Sequence, residues 1–137
     1  SLGAADITEV EMVTTTADKS EGFTISVRVR YNEPVDVVTT GGTPTLAVTN
    51  SNAGSGSGRG PHSLSYASGT GTNELIFSLA IAAANAATNA DDVLTVGAQT
   101  IALNSGTIKD ASGTASDAAL VISGAVGTAA GSVTVTA

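Results

Sequence analysis

The clearest pattern in the chain is an alternation of apolar and polar residues over positions 21–31. Thr, Ser and Arg side chains take one parity, and the other parity holds Phe23, Ile25, Val27, Val29 and Tyr31. Period-two alternation that is rich in β-branched and aromatic residues predicts a β-strand with one face in a core. We interpret the rest of the chain as further strands laid beside or across from this one.

Shorter apolar segments recur along the chain, separated by turns rich in Gly, Pro, Asn and Ser. They predict strands over 7–14, 35–39, 45–49, 63–68, 74–81, 91–96, 101–103, 118–123 and 132–136, and a short strand between two turns within 103–113. Pro34 is expected to end the central strand, because proline lacks a ladder donor. Residues 82–90 are expected to form a single turn or an irregular connection, and residues 124–131 a loop. Roughly eight to ten short strands with regular turns predict an all-β, antiparallel sandwich.

Composition narrows the fold and the class of partner. A chain of 137 residues is expected to be one domain, 1–137, with an aliphatic core because aromatics are only 3% and Trp is absent. No Cys is present, so no disulfide holds the fold. The net charge is −7 and five basic residues are scattered, which argues against nucleic-acid and anionic-membrane binding. No apolar run is long enough for a transmembrane helix.

Four segments carry a resemblance to a known family. In chain order they are VRVRYNEPVDV at 27–37, GGTPTLAV at 41–48, LSYASGTGTNELIFSLAI at 64–81 and IALNSGTIKDASG at 101–113. Together they resemble the immunoglobulin-like repeats of very large bacterial surface and adhesion proteins, over about residues 20–123. The resemblance implies an immunoglobulin-like β-sandwich whose motif positions determine the fold and are not catalytic.

A single copy of such a domain resembles those that phages carry as capsid decorations. It implies a non-enzymatic virion protein on the capsid surface, bound to the major capsid protein or other virion subunits, with self-association as a further option. The expected partner-binding residues are in the N-terminal arm, the Gly/Ser-rich loop and the tail: Ser1, Leu2, Asp6, Arg59, His62, Val133 and Val135. The alternative is one repeat of a bacterial cell-surface adhesin, acting as a spacer or ligand-binding module. A carbohydrate-binding module is disfavoured, because no Trp is available for sugar stacking.

Few residues are candidates for chemistry. His62 is the only histidine, and a catalytic triad also needs a nucleophile and an orienting carboxylate, so a surface or loop-anchoring role is favoured. Asp91 and Asp92, with Asp110 and Asp117 downstream, leave a calcium site open as an alternative. Adjacent strand residues point to opposite faces, and no Asp-x-Asp-x-Asp-Gly loop occurs, so solvated turn residues are preferred and no cofactor is expected.

Three further groups favour structural over chemical roles. The GSGSGRG segment at 54–60 has phosphate-loop spacing but lacks the Lys-Ser/Thr pair and a following helix. Arg28 and Arg30 share the polar face of the central strand and are expected to bridge to Glu9 or Glu11, with a negatively charged partner as the alternative. Tyr66 and Phe77 fall on inward parities and are expected in the core.

Overall fold

Strands dominate the residues that the computed structural model describes, which are 4–52, 61–84, 88–111 and 116–137. The strands are β1 (Ile7–Met12), β2 (Ala17–Asp18), β3 (Phe23–Val38), β4 (Thr45–Asn52), β5 (His62–Ser68), β6 (Thr72–Ile81), β7 (Asp92–Thr95), β8 (Gln99–Thr100), β9 (Thr107–Asp110), β10 (Val121–Ile122) and β11 (Ser132–Thr136). A short helix, α1 (Gly124–Ala129), precedes β11.

The strands are hydrogen-bonded in the order β1-β3-β6-β5-β4-β7-β11-β2. The path curls into two layers at β4, whose first half pairs with β5 and whose second half, from Thr49, pairs with β7. All of these pairs are antiparallel except β11 with β2, which is parallel. Strands β8 and β10 form a separate antiparallel pair. The prediction of an all-β sandwich is confirmed.

Seven of the strands follow the immunoglobulin order. Taking β1, β3, β4, β5, β6, β7 and β11 as the first to the seventh strand, one layer holds strands 1-2-5-4 and the other 3-6-7. This is the arrangement of constant-type immunoglobulin domains. The chain adds β2 between the first two of these strands, and β8, β9, β10 and α1 between β7 and β11.

The central strand β3 shows the predicted parity. Ile25, Val27, Val29 and Tyr31 are buried, whereas Arg28 and Arg30 lie on the opposite, half-exposed face. The buried set faces a core of aliphatic side chains contributed by nearly every strand. Burial of each such side chain contributes about 1.5–3 kcal/mol, so the apolar parity of β3 is a large part of what specifies the sandwich.

The prediction that Pro34 ends the central strand is wrong. Strand β3 continues to Val38, but its register with β6 shifts between Arg30 and Val35, and from Val35 onward it also pairs with β9. Pro34 lies within this irregularity, where its missing N–H removes no regular ladder bond. Its carbonyl oxygen accepts from the N–H of Ala111 at 3.1 Å, so the proline residue is tied into the sheet on its other side.

The predicted loop at 124–131 is also wrong in part, because it contains helix α1. Ser123 caps this helix through Oγ, which accepts from the N–H of Val126 at 3.2 Å. Gly127 has the appearance of a loop residue in the sequence, yet it is buried in the helix. A Cβ at this position would overlap the backbone of Gly97, so the glycine permits a close approach of helix to turn.

Other boundaries move by a few residues. Strand β4 extends to Asn52 rather than ending at Thr49. The strand predicted at 101–103 is wrong: β8 lies just before it, at Gln99–Thr100, and Ala102 forms only an isolated bridge with Thr45. Of the segment 118–123, only β10 is a strand. In the stretch 82–90, the described residues 82–84 and 88–90 form turns and irregular backbone, as expected, and 85–87 lie outside the described residues. Phe77 is fully buried; Tyr66 is half-buried and packs edge-on against it with ring centroids 6.2 Å apart.

Two of the family-like motifs meet in a contact between turns. Asn104 and Ser105 both have positive φ in the turn before β9, closed by the Gly106 N–H donating to the Leu103 carbonyl at 2.8 Å. The turn lies against the Gly41-Gly42 turn so tightly that a Cβ on Gly42 would overlap the Asn104 carbonyl oxygen. Asn104 Nδ2 also donates to the Thr43 carbonyl at 2.9 Å. These motif residues therefore serve the fold.

Candidate functional site

The N-terminal arm is held along the sandwich from Ala4 onward. Ser1 and Leu2, which were predicted to bind a partner, lie outside the described residues. Ala5 is fully buried and its carbonyl accepts from the Ala119 N–H at 2.8 Å. Asp6 is exposed, but its backbone is fixed, because its N–H donates to Asn32 Oδ1 and its carbonyl accepts from the Asn32 N–H, both at 2.9 Å. The carboxylate of Asp6 is thus presented from a rigid backbone.

The Gly/Ser-rich loop is anchored at its two ends. Arg59 and the GSGSGRG segment lie outside the described residues. His62 begins β5, pairs with Val48 and is only 5% exposed, so the surface role considered for it is wrong, because its ring packs inside the sandwich. Its Nε2 lies 3.1 Å from Nδ2 of Asn50 on the other side of the loop. The loop-anchoring interpretation of His62 therefore fits the structure.

The tail strand β11 lies inside the sheet, between β7 and β2. Val133 and Val135 are buried, at 5% and 0% exposure. The pairing with β2 is reinforced by the Lys19 N–H, which donates to the Thr136 carbonyl at 2.9 Å. In this arrangement the tail completes the sheet of its own chain, and the two valines contribute to the core rather than to an exposed binding surface.

A charged surface lies on the outer face of β1, β3 and β6. Arg28 is paired with Glu11, and Arg30 lies 3.6 Å from Glu9, so the predicted bridges to β1 are confirmed. The sequence did not indicate a further partner, Glu74 on β6, whose Oε2 accepts from Arg30 Nε at 2.8 Å. The pairing is possible because β3 lies between β1 and β6 and the register places Glu74 opposite Arg30.

The electrostatics of this surface favour a structural role. The hydrogen bond and charge of Glu74 raise the pKa of Arg30 above its usual value, which keeps the guanidinium charged. The side chains are 30–52% exposed, so each pair contributes only about 0–1 kcal/mol. Two cations held between three carboxylates leave this face with a small net negative charge.

The candidate calcium aspartates do not converge. Asp91 is exposed while Asp92 is fully buried, which agrees with their predicted opposite directions. Asp117 lies on the surface, and its Oδ1 is 3.2 Å from Lys109 Nζ. Asp110, the residue that follows Lys109 in the chain, is buried. Within the described ranges, no three His, Cys, Asp or Glu side chains are grouped as ligands for a metal ion.

Three shallow clefts were found on the described surface. One of about 270 Å³ lies between β1 and α1, lined by Thr8, Glu9, Val10, Ala125, Val126 and Ala129. A second, of about 320 Å³, is lined by small residues around Gly97 and Gly131. A third, also about 320 Å³, lies beside Lys19 and Asn89. None of these three clefts brings two titratable side chains together, which general acid–base chemistry would require.

Several residues with structural roles were not singled out from the sequence. Glu74 could have been found from its parity, since it lies on the face of β6 opposite to Leu75 and Phe77. Gln99, whose side chain bonds the backbone N–H and carbonyl of Ala47, and Thr88, which is fully buried, gave no signal, because isolated polar residues in short segments do not show which backbone they face.

Comparison with known proteins gave no relative: no family model, curated protein or solved structure was found to match the chain. Among the described helical residues, no segment is long and apolar enough to cross a membrane.

Proposed function

We propose that the protein is a non-enzymatic virion structural protein, a decoration protein that binds the outer surface of a phage capsid. The observation that carries the proposal is the use of the family-like motifs: Gly42, Asn104 and their neighbours lock turns together and line none of the three clefts described above. A domain whose distinctive residues build a rigid framework acts through its exterior. Stable attachment would bury ~800 Å² or more of that exterior per partner.

Of the predicted partner-binding residues that the structure describes, Asp6 is exposed and held on a fixed backbone, whereas His62, Val133 and Val135 are buried. The proposed partner is the major capsid protein or another virion subunit, and self-association is the remaining alternative. The net charge of −7 suits a surface protein, since like-charged particles repel one another.

Co-sedimentation with capsids stripped of their decoration proteins tests the proposal. We expect the protein to pellet with capsids and Asp6→Lys to pellet less. Glu21→Lys is the matched control, because it makes the same charge change on an exposed acid near the opposite end of β3. If the wild-type protein stays in the supernatant, or purified virions lack it, the proposal is wrong.

The second candidate is a spacer repeat of a bacterial surface adhesin, and one observation favours it. Strands β2 and β11 lie near opposite ends of the chain and pair in parallel, Ala17 with Val135 and Asp18 with Thr136. Pulling the two ends apart would load these hydrogen bonds together in shear, which suits a module in a stretched array. The open reading frame that encodes the domain decides between the two candidates. Many tandem copies of the domain in one open reading frame favour the adhesin, and a short open reading frame beside capsid genes favours the decoration protein.

A further inference from the structure

Three buried polar side chains lie around the turn at residues 88–92, which leads into β7. Thr88 and Asp92 have no exposed surface, and His62 from β5 is 5% exposed. The turn is closed twice: the Asn89 N–H donates to Asp92 Oδ2 at 2.8 Å, and the Asp92 N–H donates to the Asn89 carbonyl at 3.2 Å. These two bonds hold the carboxylate of Asp92 on the inner side of the turn.

Two oxygen atoms of this turn have no hydrogen-bond partner in the protein, Asp92 Oδ1 and Thr88 Oγ1. Buried polar atoms are nearly always hydrogen-bonded, and a buried carboxylate is costly unless its charge is compensated. Both atoms belong to the same five-residue turn, so one bound group could serve both of them.

The neighbouring basic side chains are committed elsewhere. The ring of His62 is bonded through Nε2 to Asn50, and burial lowers its pKa, an effect that the charge of Asp92 opposes but does not outweigh. Lys19 Nζ donates to the carbonyl oxygen of Thr88. Lys19 therefore places positive charge near the turn without supplying a partner to Asp92 Oδ1.

We propose that Asp92 Oδ1 and Thr88 Oγ1 bind one small, oxygen-preferring cation, with Ca²⁺ as the ion of choice. Carboxylate and hydroxyl oxygens are hard ligands, which disfavour zinc and copper. Ca²⁺ tolerates irregular coordination that includes carbonyl oxygens and water, whereas Mg²⁺ requires near-octahedral geometry. A site with a single carboxylate has a low ligand charge, so the expected Kd is weak, about 10⁻⁴–10⁻³ M. This site is independent of the proposed capsid attachment.

Thermal unfolding of EDTA-treated protein, with and without CaCl₂ at constant ionic strength, tests the site. At about ten times the Kd, we expect Ca²⁺ to raise the wild-type Tm by about 3–6 °C. Asp92→Asn should lose this rise. Asp91→Asn should keep it, because Asp91 is the exposed neighbour of Asp92 and Asn tolerates its positive φ.

Thr88→Val provides the second test if Asp92→Asn does not fold. It keeps the volume of the side chain and removes the unpartnered hydroxyl, so the Ca²⁺-free Tm should be kept or raised while the response to Ca²⁺ falls. An unchanged wild-type Tm in Ca²⁺ would overturn the proposal. An equal response in wild type, Asp92→Asn and Thr88→Val would also overturn it, since binding would then be at surface carboxylates.

Discussion

The side-chain amide of Gln99 makes both backbone hydrogen bonds of Ala47 that a neighbouring strand would otherwise make. Oε1 accepts from the Ala47 N–H at 2.8 Å, and Nε2 donates to the Ala47 carbonyl at 2.6 Å and to the Val96 carbonyl at 2.8 Å. Ala47 lies where β4 passes from its pairing with β5 to its pairing with β7. Gln99 thus supplies the backbone hydrogen bonds of β4 at the point where this strand passes from one layer to the other.

Replacing Gln99 by Met should destabilise the sandwich. The substitution keeps a long side chain but leaves the Ala47 N–H and carbonyl without partners, so we expect the free energy of unfolding to fall by about 2–4 kcal/mol. Urea denaturation at neutral pH measures it. Thr100→Ala, at an exposed position on the same strand, is the control and should change little. Equal midpoints for Gln99→Met and wild type would show that Ala47 finds other partners.

Gly42→Ala should be strongly destabilising, because its Cβ would overlap the Asn104 carbonyl oxygen and force the two turns apart. We expect a loss of about 2 kcal/mol or more in the free energy of unfolding. Gly124→Ala is the matched control, since a Cβ there meets nothing within 4 Å and the position opens α1. The control should be neutral or slightly stabilising in the same urea titration. Similar losses in both variants would contradict the turn contact.

The sequence predicted those features that depend on one strand alone. The parity of β3 identified its buried face, and the alternation in β6 placed Leu75 and Phe77 inward. Features that need two segments at once were not predicted. Pro34 is tolerated inside β3 because it falls where the register with β6 shifts, and Gly127 is a glycine in the helix because Gly97 lies against it. For the same reason His62, Val133 and Val135 were expected at the surface but are buried.

Tyr31 should make the protein sensitive to alkali. Its hydroxyl donates to the Ala119 carbonyl at 2.8 Å, and burial raises its pKa above the ordinary value of 10.0. The folded state therefore keeps a proton that the unfolded state loses, so this stability is present below about pH 10 and is lost as the pH rises further. Urea midpoints from about pH 8 to about pH 11 measure the slope.

Tyr31→Phe should flatten this alkaline slope and cost about 1–2 kcal/mol at neutral pH, because the Ala119 carbonyl loses its donor. Tyr66→Phe is the control that retains Tyr31. If the slope is equally steep in Tyr31→Phe, another group is responsible for the alkaline dependence.

His62 should produce the opposite dependence in mild acid. Burial lowers its pKa below the ordinary value of 6.5, with the charge of Asp92 acting in the other direction. The unfolded state then binds more protons than the folded state, so this stability is present above about pH 6.5 and is lost as the pH falls through the folded-state pKa.

Since His62 is the only histidine, His62→Gln should remove the slope between about pH 7 and about pH 5. Gln can still accept from Asn50, so the variant should fold, with a loss of about 1–2 kcal/mol at neutral pH. Urea midpoints across this range test the assignment. An unchanged slope in His62→Gln would show that carboxylates, and not His62, cause the pH dependence.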